Sequence, residues 1–372
     1  MAKYRIAWLP GDGVGNDVME AIKIVLDALK LDAEYLHGDI GWEFWCKEGN
    51  ALPDRTIELM KKTDCALFGA ITSKPKEEAQ EELDPKLRGK GYDYFSPIVR
   101  LRQEFNLHTN LRPCKAYPGN PLNFKEGIDL VIFRENTEGM YGGVEFHPIP
   151  EEVFNVLDKH HPKMKKFKKF GLENMAMSTR LMSRQMCANI VRQGFEYAKK
   201  YNRKSVTVVD KPNVLRETGG LMLRTARQVA REYPGIPFYD TNIDAQCMWL
   251  LKNPFDYDVM VAENMFGDIL SDLAAQLVGG LGFASAGNIG DNYAVFEPTH
   301  GSAPKYAGMY KVNPIATFLA AKLMLDWLGE LDMANRLENA IAAVIQEGKV
   351  RTYDMGGKNT TLEMAEAVAA KL

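Results

Sequence analysis

The chain has 372 residues, 46% hydrophobic and 26% charged, enough for a sizeable core in two domains or one large α/β unit. A net charge of −3 argues against a general nucleic-acid binder, so an acidic substrate would need a local basic pocket. Five scattered cysteines without a CxxC argue against a disulfide framework or a zinc site and fit a cytosol-like compartment. The opening MAKYRIAWLPGDG runs directly into a strand, and no apolar run reaches about 18 residues. Neither a secretory signal nor a membrane span is therefore expected, and the expected location is cytoplasmic.

Tyr4 to Leu9 reads as a strand ending in Pro10-Gly11-Asp12-Gly13-Val14-Gly15, and Asp17 to Leu31 has helical periodicity. Strand, glycine loop and helix invite a dinucleotide reading. GDGVGND lacks the third glycine of GxGxxG, however, and a tight strand-to-helix turn is the alternative. Asp64 to Ala70 is a second strand, leading into Thr72. Lys74 to Lys90 is charge-rich and reads as a surface loop with a helical turn. Ser96 to Phe105 is a helix, and Leu130 to Phe133 a strand that delivers Arg134. His147 to Phe170 carries clustered Lys and His and reads as a solvated loop or hairpin. Ser178 to Tyr201 is a helix. Ser205 to Val209 is a strand ending in Asp210-Lys211-Pro212-Asn213, and Leu215 to Tyr233 is helical. Phe238 to Ile243 is extended, Asp244 to Leu251 helical, and Asp258 to Ala262 a strand. Ala294 to Glu297 is followed by the loop His300 to Gly308. Helices are expected at Pro314 to Leu328, Asp332 to Glu347 and from Thr361, with a strand-turn at Val350 to Gly357. Strands alternating with helices give an α/β class with a largely parallel sheet.

After the strand at Asp258 to Ala262, a mostly apolar helix carries Asp268 and Asp272 at i,i+4, on one face a turn apart. Hard cations such as Mg²⁺ or Mn²⁺ take such oxygen ligands. On spacing alone the alternative is an ordinary helix start, with Asp268 in the first turn and Asp272 facing water. Elsewhere, Arg102, Arg112, Arg134 and Lys211 stand at strand ends or in Gly/Pro-marked loops, as does Asp244. Three arginines suit a di- or tricarboxylate, because guanidinium forks bind carboxylates at two points. Three aspartates with a divalent ion suit chelation of an α-hydroxy carboxylate.

These motifs occur together and in order: LPGDGVGNDV, NLRP at Asn110, RENTEGMYGG at Arg134, DKPNV at Asp210, NMFGDILSDLAAQLVGGLGFASAGNIG, and EPTHGSAPKYAG. With them the chain resembles, nearly end to end, the β-decarboxylating dehydrogenases that act on isocitrate, homoisocitrate, 3-isopropylmalate or D-malate/tartrate. The resemblance implies a two-domain α/β fold that is not a Rossmann fold, assembled as a homodimer. Residues 1–107 and 279–372 would form the large cofactor-binding domain. Residues 108–278 would form the small dimerisation domain, with 139–183 as a clasp between subunits. It implies a metal, Mg²⁺ or Mn²⁺, held by Asp268 and Asp272, with Asp244 lent by the other subunit. Arg102, Arg112, Arg134 and Ser96 would grip the substrate. Lys211, also from the other subunit, would assist proton removal, and Tyr141 would protonate the enolate carbon after CO₂ leaves.

The cofactor site implied by the resemblance comprises Thr72, Glu297, His300, Gly301, Ser302, Ala303, Lys305, Tyr306, Asn313 and Tyr353. NAD-using relatives usually carry an acid and an aliphatic at the positions of Lys305 and Tyr306. A cation and a phenol there suit a 2′-phosphate and favour NADP over NAD, whereas Gly357 stands where some NADP-using relatives place an arginine. Ser96 favours isocitrate, while Ile98 and Val99 would also meet the apolar tail of 3-isopropylmalate. A rival of another class is a non-catalytic regulatory subunit, which would be expected to lose metal or base residues. Lys211, Tyr141 and all three aspartates are present.

Overall fold

The structure is a computed structural model and describes residues 2–372. In chain order the described strands are β1 (Tyr4–Gly11), β2 (Ala33–His37), β3 (Cys65–Ala70), β4 (Thr109–Lys115), β5 (Asp129–Glu135), β6 (Glu145–Phe146), β7 (Met177–Ser178), β8 (Val206–Asp210), β9 (Phe238–Asn242), β10 (Val259–Ala262), β11 (Ser285–Ile289) and β12 (Ala294–Pro298). The helices are α1 (Val14–Leu29), α2 (Trp42–Glu48), α3 (Asp54–Met60), α4 (Lys76–Glu82), α5 (Pro97–Glu104), α6 (Glu151–His160), α7 (Arg184–Lys200), α8 (Thr218–Ala230), α9 (Ile243–Lys252), α10 (Asn264–Gln276), α11 (Ile315–Trp327), α12 (Leu331–Glu347) and α13 (Thr361–Ala369).

Ten strands form one sheet in the order β2-β1-β3-β12-β11-β4-β5-β10-β8-β9. The pairings at both ends are parallel, and only the central run β12-β11-β4-β5 is antiparallel. The α/β class with a mostly parallel sheet is as expected from the sequence. The hairpin β11–β12 lies between two groups that are contiguous in sequence, β1 to β3 and β4 to β10.

Period-two alternation sends each strand's side chains to opposite faces. On one face Trp8, Leu67, Phe133, Val208 and Phe296 pack with buried residues of α1, α7, α8, α11, α12 and α13. On the other face there are two separate clusters. One holds Ile132 and Met260 with Leu270 and Ala274 of α10; the other holds Leu9 and Phe68 with Ile57 of α3 and Leu101 of α5. Leu270 is fully buried, so its truncation to Ala costs about 2–5 kcal/mol. Between α7 and the α11–α12 pair the first face leaves a cleft of about 670 Å³.

The turn after β1 brackets the loop after β12. A Cβ at Gly13 would lie 2.2 Å from the Ser302 carbonyl, and Val14 N–H donates to that carbonyl at 2.8 Å. The Asp12 carboxylate accepts from the Trp42 and Thr72 backbone N–H groups, the latter at 2.8 Å.

Three expectations are corrected. His147 to Phe170 is not a loop or hairpin but contains α6, whose first turn carries Glu151 and Glu152 and whose last turn carries Lys159 and His160. That charge order complements the helix dipole, and Phe154 anchors the helix. The helix expected from Ser178 starts at Arg184, where Ser183 caps it by accepting from Met186 N–H, and Met177–Ser178 pairs instead with Glu145–Phe146. Val350 to Gly357 forms no strand. Its backbone closes on itself, with Gly357 N–H donating to Thr352 C=O. Strands β2, β4 and β11 and helices α2 and α3 were not anticipated.

Candidate active site

The site lies between the two clusters of the second face, where α5, the centre of the sheet and α10 meet. Glu263 caps α10 by accepting from Phe266 N–H at 2.8 Å. A Cβ at Gly267 would sit 2.7 Å from Arg134 Cβ, so glycine lets α10 lie directly on β5. Asp268 consequently stands in the second turn, beyond the first-turn position of the ordinary-start reading. Its Oδ1 pairs with Arg134 Nη1 and, at 3.3 Å, with Arg112 Nη2. Asp272 Oδ1 accepts from Arg112 Nη1 at 3.0 Å. Tyr141 donates to Asp268 Oδ2 at 3.1 Å, and its ring lies 5.4 Å from the Arg134 guanidinium.

The structure thus gathers Arg112, Arg134, Asp268, Asp272 and Tyr141, with buried Arg102 alongside. Burial pushes the Arg134 guanidinium down from its ordinary range, helped by Arg112 and Arg102 and opposed by Asp268. Burial likewise raises the Asp272 carboxyl, opposed by Arg112. Mutual repulsion of the three cations favours any carboxylate that enters.

Each arginine has its Nε held by the side-chain oxygen of a buried asparagine. Arg102 Nε donates to Asn288 at 3.0 Å, Arg112 Nε to Asn110 at 2.8 Å, and Arg134 Nε to Asn264 at 3.0 Å. These asparagines had no role assigned from sequence. A polar residue at an inward position of a buried strand, as at Asn110 and Asn288, was the signal that could have found them. Ser96 immediately precedes α5, and its hydroxyl does not cap that helix.

Lys211 and Asp244 stand apart. They follow the ends of β8 and β9 and pair with each other at 2.5 Å, and this contact lowers the Asp244 carboxyl. Among the described residues no three His, Cys, Asp or Glu converge on a point that could hold a metal. Asp268 and Asp272 offer the hard oxygen donors that a divalent ion takes, and they fit one.

The cofactor candidates cluster around the loop after β12. Thr72 and Ser302 share a hydroxyl hydrogen bond of 2.6 Å, which fixes the loop to the end of β3. His300 Nδ1 faces Gly301 C=O at 3.0 Å, while its Nε2 is buried without a partner, an open position suited to a ligand. Burial lowers the His300 imidazole, keeping it neutral. Tyr306 and Tyr353 lie 5.9 Å apart, with Lys305 over Tyr306. Lys311, missed from sequence, lies within 5.6 Å of both rings. Asn313 donates to Asp354 at 3.0 Å. Glu297 is turned towards Arg102, 3.8 Å away, and accepts from Asn288 at 2.7 Å.

A continuous ten-stranded sheet thus carries a charged site at its centre. Residues 5–368 match the isocitrate/isopropylmalate dehydrogenase family, and the chain belongs to it. It is 40% identical over 368 residues to 3-isopropylmalate dehydrogenase of Archaeoglobus fulgidus, covering 99% of each. Protein DlpA of Legionella pneumophila is 41% identical over 367 residues, which span 98% of this chain and 58% of that protein. The crystal structure of isocitrate dehydrogenase from Methylococcus capsulatus superposes with a TM-score of 0.86 at 35% identity, covering 99% of both chains. The chain is an NAD(P)-dependent β-decarboxylating dehydrogenase of hydroxy-carboxylates, in a family that works with a divalent metal. Among the described residues no helix is long and apolar enough to cross a membrane.

Proposed function

We propose that the chain oxidises and decarboxylates isocitrate to 2-oxoglutarate with NADP, as a cytoplasmic homodimer with shared active sites. The observation that carries this reading is the gathering of three buried arginines, two of them on the Asp268–Asp272 pair and Arg102 alongside, enough to grip a tricarboxylate. The same chemistry on 3-isopropylmalate is supported equally, because Ile98 packs against the cluster beside α5 and relatives of both kinds match. Residues 1–107 with 279–372 form the cofactor domain and 108–278 the dimerisation domain, with the clasp at 139–183. In favour of this division, the cluster around α10 draws all its buried members except Ala284 from 108–278.

Bound at Asp268 and Asp272, with Asp244 of a second subunit, a divalent ion supplies a Lewis acid; the coenzyme supplies a hydride acceptor. The chain's own residues do the rest. Arg102, Arg112 and Arg134 bind and orient the carboxylates, with Ser96 at the rim. Lys211 of the second subunit takes the hydroxyl proton. Tyr141 donates its phenolic proton to the product carbon, and its bond to Asp268 holds it in place. Thr72, Glu297, His300, Gly301, Ser302, Ala303 and Asn313 seat the coenzyme, while Lys305, Tyr306, Lys311 and Tyr353 meet a 2′-phosphate.

Coenzyme reduction measured with Mn²⁺, NAD or NADP, and isocitrate, 3-isopropylmalate, homoisocitrate or D-malate tests this. Isocitrate with NADP is the expected best combination. A higher kcat/KM with another acid moves the assignment to that acid, and no reduction with any of them defeats the catalytic reading. Replacing Lys305-Tyr306 with Asp-Ile is expected to shift preference towards NAD.

A further inference from the structure

Asn288 is the most connected polar group of the site. It is fully buried on β11, and its Oδ1 accepts from three donors: Arg102 Nε at 3.0 Å, Asn110 Nδ2 at 2.8 Å and Asn136 Nδ2 at 3.0 Å. Its Nδ2 donates to Glu297 Oε1 at 2.7 Å and faces Val295 C=O at 3.4 Å. Three donors on one side and two acceptors on the other fix which end of the amide is oxygen. Through Asn110, which also accepts from Arg112 Nε at 2.8 Å, the network reaches a second arginine.

The chemistry of this anchor differs from that of a salt bridge. A carboxylate against Nε would hold Arg102 equally well but would neutralise it. An amide oxygen fixes the fork and leaves the charge for an incoming anion. Arg112 and Arg134 already face Asp268 and Asp272, so Arg102 is the member of the trio without a carboxylate in direct hydrogen-bond contact.

We propose that Asn288 is a positioning residue that keeps Arg102 oriented and, by holding Glu297, keeps that carboxylate beyond hydrogen-bond distance of Arg102, making Arg102 the principal anchor for the substrate carboxylate. This rests on the reading of Arg102 as a substrate ligand.

The test exchanges acid and amide. In the double variant Asn288→Asp/Glu297→Gln every hydrogen bond except the long one to Val295 C=O has a counterpart and the net charge is unchanged, but the carboxylate now abuts Arg102 Nε. Steady-state kinetics are run with the hydroxy acid and coenzyme that the wild type turns over. Arg102→Met and Glu297→Gln serve as references, and thermal melting checks folding. The double variant is expected to melt near the wild type and to raise KM for the hydroxy acid about tenfold relative to Glu297→Gln. Its kcat and coenzyme KM are expected to match that reference within about twofold. A hydroxy-acid KM equal to that of Glu297→Gln, while Arg102→Met raises it, overturns the role of Asn288 alone. An unchanged KM in Arg102→Met overturns the substrate-ligand reading as well. If the double variant does not fold, Asn288→Ser, which keeps a neutral acceptor, is expected to raise hydroxy-acid KM less than Arg102→Met does. A hydroxy-acid KM in Asn288→Ser no higher than that of the wild type counts against the proposal.

Discussion

The cluster on α10 and the pair at Lys211 and Asp244 have opposite surroundings. In the first, arginines that are almost wholly buried bracket two carboxylates, and Asp268 is 31% exposed. In the second, a single lysine meets Asp244, whose side chain is 67% exposed. In the first, the arginines are fixed by buried asparagines; in the second, the side-chain ion pair is between the two groups themselves. Opposite charges left this open hold little energy and are free to exchange partners. An exposed carboxylate paired with one lysine can exchange that partner, as the proposed sharing of the site between subunits needs.

The sharpest break in this comparison comes from mixing variants. Lys211→Met and Asp268→Asn are each expected to lose about 10³-fold or more in kcat. Dissociated, mixed and reassembled in equal amounts, they recover about a quarter of the wild-type rate, since half the dimers are mixed and each has one intact site. No recovery would place Lys211 in the site of its own chain. Next is Arg134→Met, which strips Asp268 of its main cation as well as a substrate contact. It is expected to lower kcat/KM at least about 100-fold and to cost roughly 2–4 kcal/mol in urea unfolding. Lys211→Met, in contrast, should change stability by less than about 1 kcal/mol in the same measurement.

The smallest effect lies outside both regions and provides a baseline. Burial holds the His300 pKa below its ordinary value, so the unfolded chain binds a proton there first as pH falls. The contribution of this residue to stability is therefore complete above about pH 6.5 and declines as pH drops towards the folded value. In His300→Gln that decline is absent. The difference in melting between the two proteins at pH 7.5 and 5.5 corresponds to at most about 1.4 kcal/mol.

Charged residues of the site were legible in the sequence because a charge at a strand end or on an apolar helix is costly to bury unless it meets a partner or a ligand. Arg102, Arg112, Arg134, Asp268 and Asp272 stood out on those grounds, and the structure brings them together. The asparagines did not stand out. A neutral amide leaves no mark on charge or periodicity, and its partners come from distant segments, as with Asn288 and Arg102. Most strands and helices were likewise legible from their apolar runs. β4 was hidden by Pro113 and by its alternation of Asn110 and Arg112 with Leu111. β11 was hidden by small residues, since Ser285, Ala286 and Gly287 carry little strand propensity. The helix α6 had its end signals in Glu151, Glu152, Lys159 and His160, but the lysines that follow masked them.

The central hairpin also fixes an order of events during synthesis. β1 to β3 and β4 to β10 can each assemble as they emerge, but their facing edges, β3 and β4, stay unpaired until Ser285–Pro298 has been made. Those edges are open templates for another chain in the meantime. The segment that closes them carries both Asn288 and Glu297, so Arg102 acquires its support in the same step that joins the sheet. A chain stalled before the hairpin is thus both sticky and without a finished site.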